Sequence, residues 1–596
     1  VEERARAKSL SSLTEDLIRP SFTSHRAVAH ADCGLNEQVL GSVLSCRLVL
    51  NDAQSVEDII DRTLSDLRTG FGEAKTDRGW FWGVQRDAAV NGSLELESLE
   101  ARATNSAEQA REYNNPFLDR EVLGALGALD LGTVSSLGYE LADRKRTYAM
   151  LVQPASGASG GPRAEQEATQ RRSLEPIGEA PDTQRTLALV KRGSPRELTE
   201  FELANGLTVI AQRRRGTPFV TAVLGFHGSS AWATDPALGE ASALSETWRV
   251  DSAPSQVGLS LRWDEGQDDR HFVARAVAPD LDAVLKALAR ERFPHFDWPN
   301  LRFRRMLPWL TQSENSPDAL ASRQERQGLF GAHPYAAFAP AARADHVTTQ
   351  AVDRFLLSVR RPDNAVLVIV SDAEPNAVRA GVADYFGTWA KPSTPKLPPP
   401  PPIDLTVERR PSLVIVDKPS SQVDLRFSCL IGHGTGKARV AQEVLADILT
   451  DRTHTALRNE TGVAYFADGQ FRVLAAGASE ISVSTSVDTA HVGQALSFLK
   501  ELSQLDVAEI SDADLSWRRF QGLEATVFDD QTTASTANAL YAAWLEDRPL
   551  FDLDFEQQYL ASLSQADLAP SLATCNGHAV IVAVGNRAAI AAAARP

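Results

Sequence analysis

The strongest constraint on this 596-residue chain is that its two ends repeat each other. "QSVEDIIDRTLSDL" (54–67) and "AHVGQALSFLKEL" (490–502) have the apolar spacing of amphipathic helices. Each follows a strand-like run, "SVLSCRLVL" and "EISVSTSV". Long polar helical stretches come next, and each end closes on an apolar strand, "YAMLVQP" (148–154) and "AVIVAVG" (579–585). Both pairs are offset by roughly 430 residues, which makes the repeat a structural unit rather than a chance likeness. The middle of the chain carries related parts in the same order: helix "LDAVLKALARERF" (281–293), helix "TTQAVDRFLLSV" (348–359) and strand "NAVLVIVSD" (364–372).

Two stretches separate these units. Residues 156–194 fall in a Gly-, Pro-, Ser- and charge-rich tract without apolar period, and 391–410 in a proline run expected to be extended and semi-rigid. The predicted domains are therefore 1–155, 195–390 and 411–596. Strands, then runs of helices, then a returning strand predict an α+β class: α/β sandwich domains in which an antiparallel-rich sheet is covered by helices.

Composition narrows the function. Hydrophobic residues make up 43% and charged residues 23%, as in an ordinary globular chain. A net charge of -17 without a basic, aromatic-rich stripe argues against nucleic acid as a partner. No apolar run is long enough to serve as a transmembrane segment. The chain opens at Val1 on "VEERARAK", and the expectation is that its natural N-terminus lies further upstream. Four cysteines leave two readings open: disulfides pairing Cys33 with Cys46 and Cys429 with Cys575, or four buried thiols.

Several motifs carry less than they suggest. "GHGTGKA" (432–438) has the wrong spacing for a phosphate-binding loop, and Ala438 stands where a hydroxyl would meet magnesium, so it reads as a strand-to-helix turn. His25 and His30 have no nearby thiol pair and read as ordinary histidines. "DRGWFWGVQRD" (77–87) reads as domain-packing surface before chamber lining. "NGS" (91–93) is a sequon only in a eukaryotic secretory context.

The central domain opens with "FELANGLTVIAQRRRGTPFVTAVLGFHGSSAWATDPALGEASALSE". Asn205-Gly206-Leu207, Pro218, Gly228-Ser229 and Gly239-x-Ala241 in it resemble the start of an M16 (pitrilysin/insulinase) metallopeptidase domain. "HPYA" (333–336) resembles that domain's middle, and "RRPDNAVLVIVSDAEPNAVRAGVADYFGTW" (360–389) its end. "VIVDKPSSQVDLRF" (414–427) and "LRNETGVAY" (457–465) are similar to the family's second domain type. The resemblance covers nearly the whole chain and implies repeated LuxS/MPP-like domains.

In that family a helix bearing His-x-x-Glu-His holds zinc, the glutamate acting as base. The matching positions here are Ser242, Ser245 and Glu246, with the family's distal ligand falling near Trp309. The resemblance thus implies a degenerate motif, no metal ligand in this chain, and no activity from this chain alone. It also implies that an Arg and a Tyr seven residues apart contact substrate, and Arg458 and Tyr465 stand at that spacing. The equivalent stretch of the first domain has Thr23 and His30 instead. The implied function is the C-terminal, non-zinc part of a zinc metalloendopeptidase. Zn2+ would be held by an absent N-terminal domain or by a partner chain, peptides would be the substrates, and the location would be periplasmic or otherwise extracytoplasmic. The alternative is an inactive M16-like scaffold or assembly subunit.

Overall fold

The structure, a computed structural model, describes residues 4–11, 14, 28–38, 41–50, 56–74, 78–150, 196–252, 258–292, 310–344, 346–406 and 412–594. At the N-terminal end a hairpin of β1 (Val28–Gln38) and β2 (Gly41–Leu50) pairs antiparallel, with Cys33 opposite Cys46. Five helices follow: α1 (Val56–Ala74), α2 (Arg78–Glu95), α3 (Leu99–Tyr113), α4 (Leu118–Leu126) and α5 (Leu131–Leu141). Phe71, Phe81, Val84 and Val134 form a small core among them. The expected strand at 148–154 does not form where it is described: Tyr148 and Met150 are exposed and unpaired, and 151–154 lie outside the described residues.

The central unit is built on a six-stranded sheet ordered β3-β4-β8-β5-β7-β6. These strands are β3 (Glu197–Glu202), β4 (Thr208–Arg213), β5 (Phe219–His227), β6 (Leu259–Glu265), β7 (Asp269–Val277) and β8 (Ala365–Ser371). Every pairing is antiparallel except β4 with β8. The β3–β4 turn is fixed by Asn205, whose amide donates to the carbonyls of Phe386 (2.8 Å) and Trp389 (2.9 Å), and by Gly206 at φ +90°. Against this sheet pack α6 (Pro236–Ser252), α7 (Leu281–Glu291), α9 (Thr349–Val359) and α10 (Pro375–Phe386); α8 (Pro317–Phe330) does not belong to that layer.

The last unit has a five-stranded sheet ordered β11-β12-β10-β13-β9. Its strands are β9 (Ser412–Asp417), β10 (Gln422–Gly432), β11 (Ala464–Leu474), β12 (Ala478–Asp488) and β13 (Ala579–Gly585). Its helices are α11 (Lys437–His454), α12 (Val492–Leu502), α13 (Asp512–Asp529), α14 (Thr533–Leu545), α15 (Asp552–Ala561), α16 (Gln565–Gly577) and α17 (Arg587–Ala593). A disulfide joins Cys429 on β10 to Cys575 on α16, and Cys46 is also disulfide-bonded. The protein is α+β, with two mixed sheets covered by helices, as the sequence predicts.

The two sheets exchange helices. On β8, Leu367 and Ile369 face the unit's own core, while Val366, Val368 and Val370 face Ala537, Leu540 and Tyr541 of α14 from the last unit. On β13, Ile581 and Ala583 face inward while Val580, Val582 and Val584 meet Ala321, Leu329 and Phe330 of α8 from the central unit. Both strands are covered on both faces, which is why they read as unbroken apolar runs instead of alternating ones. Close approach demands small residues: a Cβ on Gly225 would lie 2.1 Å from the Tyr541 ring. The proline stretch is tied to both units, with Leu397 N–H donating to Ser358 O (3.2 Å) and Ile403 N–H to Ala476 O (2.9 Å).

The helical block joins the same junction. Val90 and Leu94 of α2 pack on Phe219, and Arg86 pairs with Asp280. Phe81 is buried and Trp82 exposed on the same helix. Glu97 accepts from Arg275 (2.7 Å) and from the backbone N–H of Thr533 (2.6 Å), so one carboxylate touches all three parts of the chain.

Candidate functional site

Helix α6 begins at Pro236, where the missing N–H costs nothing, and Gly239 lets it lie against Ser230 O. Ser242, Ser245 and Glu246 lie on the buried side of this helix, with 0, 3 and 0% exposure. The hydroxyls are turned back onto the helix, Ser242 donating to Gly239 O (2.7 Å) and Ser245 to Ser242 O (2.6 Å).

Two arginines occupy the space in front of them. Arg360, just past α9, pairs with Glu246 at 2.6 Å and donates to Glu291 O at 2.9 Å; its guanidinium lies 5.0 Å from the Phe272 ring. Arg270 on β7 donates to Ser242 Oγ at 2.6 Å and pairs with Glu265 at 2.9 Å, lying 5.2 Å from the Phe355 ring. Both arginines are 1% exposed. Burial away from bulk solvent makes each charge dependent on its partners, and two carboxylates balance two guanidinium groups across the site.

This donor set does not fit zinc. A catalytic zinc takes three protein ligands, whereas the helix face offers one carboxylate, Glu246, and both Glu246 and Glu265 are already held by arginines. A metal ion would also sit against two guanidinium charges. The face is therefore a filled ionic plug rather than an open cleft. Sequence reasoning identified the shared face of Ser242, Ser245 and Glu246 but missed Arg270 and Arg360. The available signal was the arginine that ends "DDR" (268–270), directly before the apolar run "HFVARAV", and a second directly after the buried helix "AVDRFLLSV". The distal position near Trp309 lies outside the described residues, as do Thr23 and His25. His30 lies on β1.

Arg458 and Tyr465 belong to the other sheet unit. Beyond α11 the chain widens into a π-helical turn over Thr455–Glu460 that carries Arg458, half-buried. Gly462, at φ +68°, ends it, its N–H donating to Arg458 O at 3.1 Å. Tyr465 is the second residue of β11, the edge strand of the five-stranded sheet, where the pairing with β12 is interrupted between Ala464 and Ala467. The backbone thus brings a helix end and an irregular edge strand together at this pair. The turn "GHGTGKA" joins β10 to α11, with Gly436 at φ +52°.

Residues 346–517 match the family model described as peptidase M16 inactive domain. That stretch of the chain is similar to the M16 peptidase family. Solved M16 structures share its fold. The peptidase M16 inactive domain from Pseudomonas fluorescens aligns with a TM-score of 0.57 at 17% identity, covering 65% of this chain and 98% of that one. A protease from Helicobacter pylori aligns with a TM-score of 0.56 at 14% identity, covering 65% and 100%. The periplasmic protease PqqL from Escherichia coli aligns with a TM-score of 0.55 at 12% identity, covering 98% of this chain and 70% of that one. No curated protein sequence matches significantly. The M16 match begins inside the central unit, at α9, and runs across the proline stretch to α13, so it spans the interlocked part of the chain.

Proposed function

We propose that this chain is the non-zinc part of an M16-type metallopeptidase that hydrolyses peptides in an enclosed chamber. In this reading the zinc belongs to a preceding domain or to a partner chain. Arg458 and Tyr465 supply the contacts to substrate. A guanidinium and a phenol are both donors, and aimed at a scissile carbonyl they stabilise the negative charge that grows on its oxygen. The observation that carries the reading is the contrast between the two sheet units. One has its metal-helix face filled by Arg270 and Arg360, while the other keeps an Arg and a Tyr seven residues apart beside an edge strand.

The Cys429–Cys575 disulfide supports an extracytoplasmic location, where such bonds persist, and the periplasmic protease PqqL shares the fold. The negative net charge supports peptides over nucleic acid as partners. The ionic plug favours a second reading, an inactive M16 scaffold or assembly subunit, because it fixes one unit by burial instead of exposing a working cleft.

Peptide hydrolysis by the assembly containing the zinc-bearing domain separates the two. Tyr465→Phe is expected to lower the rate by roughly ten- to a thousand-fold, the range for loss of an oxyanion donor, with this chain alone inactive. An unchanged rate in the assembly leaves the scaffold reading. Stoichiometric zinc bound by this chain alone contradicts the assignment of the plug.

A further inference from the structure

A cavity of about 560 Å³ lies between the start of α6, the end of α8 and the proline run. That volume suits a small organic ligand. Its walls are ordered before anything binds. Trp232 is buried and its indole N–H donates to Asp268 at 2.7 Å, which fixes the ring that lines the cavity. His333 bonds Pro401 O through Nε2 at 2.7 Å and accepts the Tyr335 N–H at Nδ1, which pins the imidazole to the opposite wall. The prolines 398–401 add rings, and they add no N–H donors.

Beside the polar Thr234, Gln327 and His333, the lining carries one guanidinium, that of Arg323. Its guanidinium lies 3.6 Å from the centroid of the Phe338 ring, and its Nη2 donates to Glu314 O at 3.1 Å. Its Nε is buried and unbonded, and among the described residues no carboxylate pairs with it. In a chain with a net charge of -17, most arginines in the structured core meet an acid, as Arg270, Arg360, Arg426 and Arg439 do. A guanidinium without one, at the wall of an aromatic- and proline-lined cavity, is a carboxylate receptor lacking its carboxylate.

We propose that this cavity binds an aromatic carboxylate: a flat apolar ring against Trp232 and the prolines, and a carboxylate on Arg323. The free aromatic amino acid and a peptide's C-terminal aromatic residue share that chemistry. The inference is independent of the peptidase reading, since it involves neither Arg458 nor Tyr465.

Titration calorimetry on the full chain, with N-acetyl-phenylalanine against its amide, tests it. The acid is expected to bind saturably and at least about ten-fold more tightly than the amide, the difference made by one charge-assisted bond. Arg323→Gln should abolish that discrimination while leaving the melting temperature near wild type. Equal binding of acid and amide to the wild type, or no saturable binding of either, overturns the proposal without any variant. Free phenylalanine and a short peptide ending in phenylalanine form the last two arms. Tighter binding of the peptide identifies chain ends as the source, and tighter binding of phenylalanine identifies the amino acid.

Discussion

Replacing Glu246 by alanine removes the carboxylate that lies 2.6 Å from Arg360, where the two side chains are 0 and 1% exposed. The guanidinium cannot lose its proton and, at 1% exposure, is shut off from bulk solvent. The Glu291 carbonyl and the Phe272 ring remain among its neighbours. Breaking a buried pair from one side costs about 3–5 kcal/mol, whereas replacing both partners by apolar groups of similar volume is often neutral. Urea unfolding of Glu246→Ala is therefore expected to lose about 3–5 kcal/mol relative to wild type. Adding Arg360→Met to Glu246→Ala should recover at least about 2 kcal/mol of that, the Arg360→Met single variant completing the comparison. The recovery is the informative quantity, because a cavity left by a shortened side chain is not repaired by changing Arg360. The reasoning is refuted if the two single variants each cost less than about 1 kcal/mol, or if their effects simply add.

Three further outcomes follow from the structure. Asp268→Ala should cost on the order of 3–5 kcal/mol, because Trp232, Tyr335 and the Ala475 N–H all donate to that buried carboxylate; since Ala475 belongs to the last unit, calorimetry should show the two units beginning to melt separately. Burial pushes the Glu480 carboxyl up to about 7 from 4.5 despite Arg472 at 3.1 Å, so the folded state keeps a proton that the unfolded chain has lost. That contribution is complete below about pH 4.5 and disappears as pH rises to about 7, and Glu480→Gln should flatten the decline in a stability-versus-pH series. Cys575→Ser opens a disulfide spanning 146 residues and should lower stability by about 2–5 kcal/mol in urea, while the same change after reduction of both proteins should be small.

Much of the fold was legible because its elements announce themselves locally. "NAVLVIVSD" and "AVIVAVG" become β8 and β13, and the amphipathic run at 281–293 becomes α7 over Leu281–Glu291. The same runs also hid something. An unbroken apolar strand says that both faces are covered, but it does not say by what, and the covering helices α8 and α14 come from the opposite units. The expected strand at 148–154 was read by analogy with β13, yet Tyr148 and Met150 find no sheet to join. At the candidate site, the helical spacing of Ser242, Ser245 and Glu246 correctly put them on one face. What fills that face arrives from a strand and from a helix end distant in sequence, and an isolated arginine in either place looks like any surface cation until the fold buries it.

The helix exchange has a consequence for how the chain must be made. The outer face of β8 is complete only when α14, about 165 residues later, has left the ribosome, and at about 5–20 residues per second that leaves an apolar sheet exposed for roughly ten to thirty seconds. Until then Val366, Val368 and Val370 have nothing to rest against. The central unit is thus an unfinished object during synthesis, and a chain cut within the proline stretch would leave both halves with a naked sheet. For this architecture the smallest foldable piece is the interlocked pair.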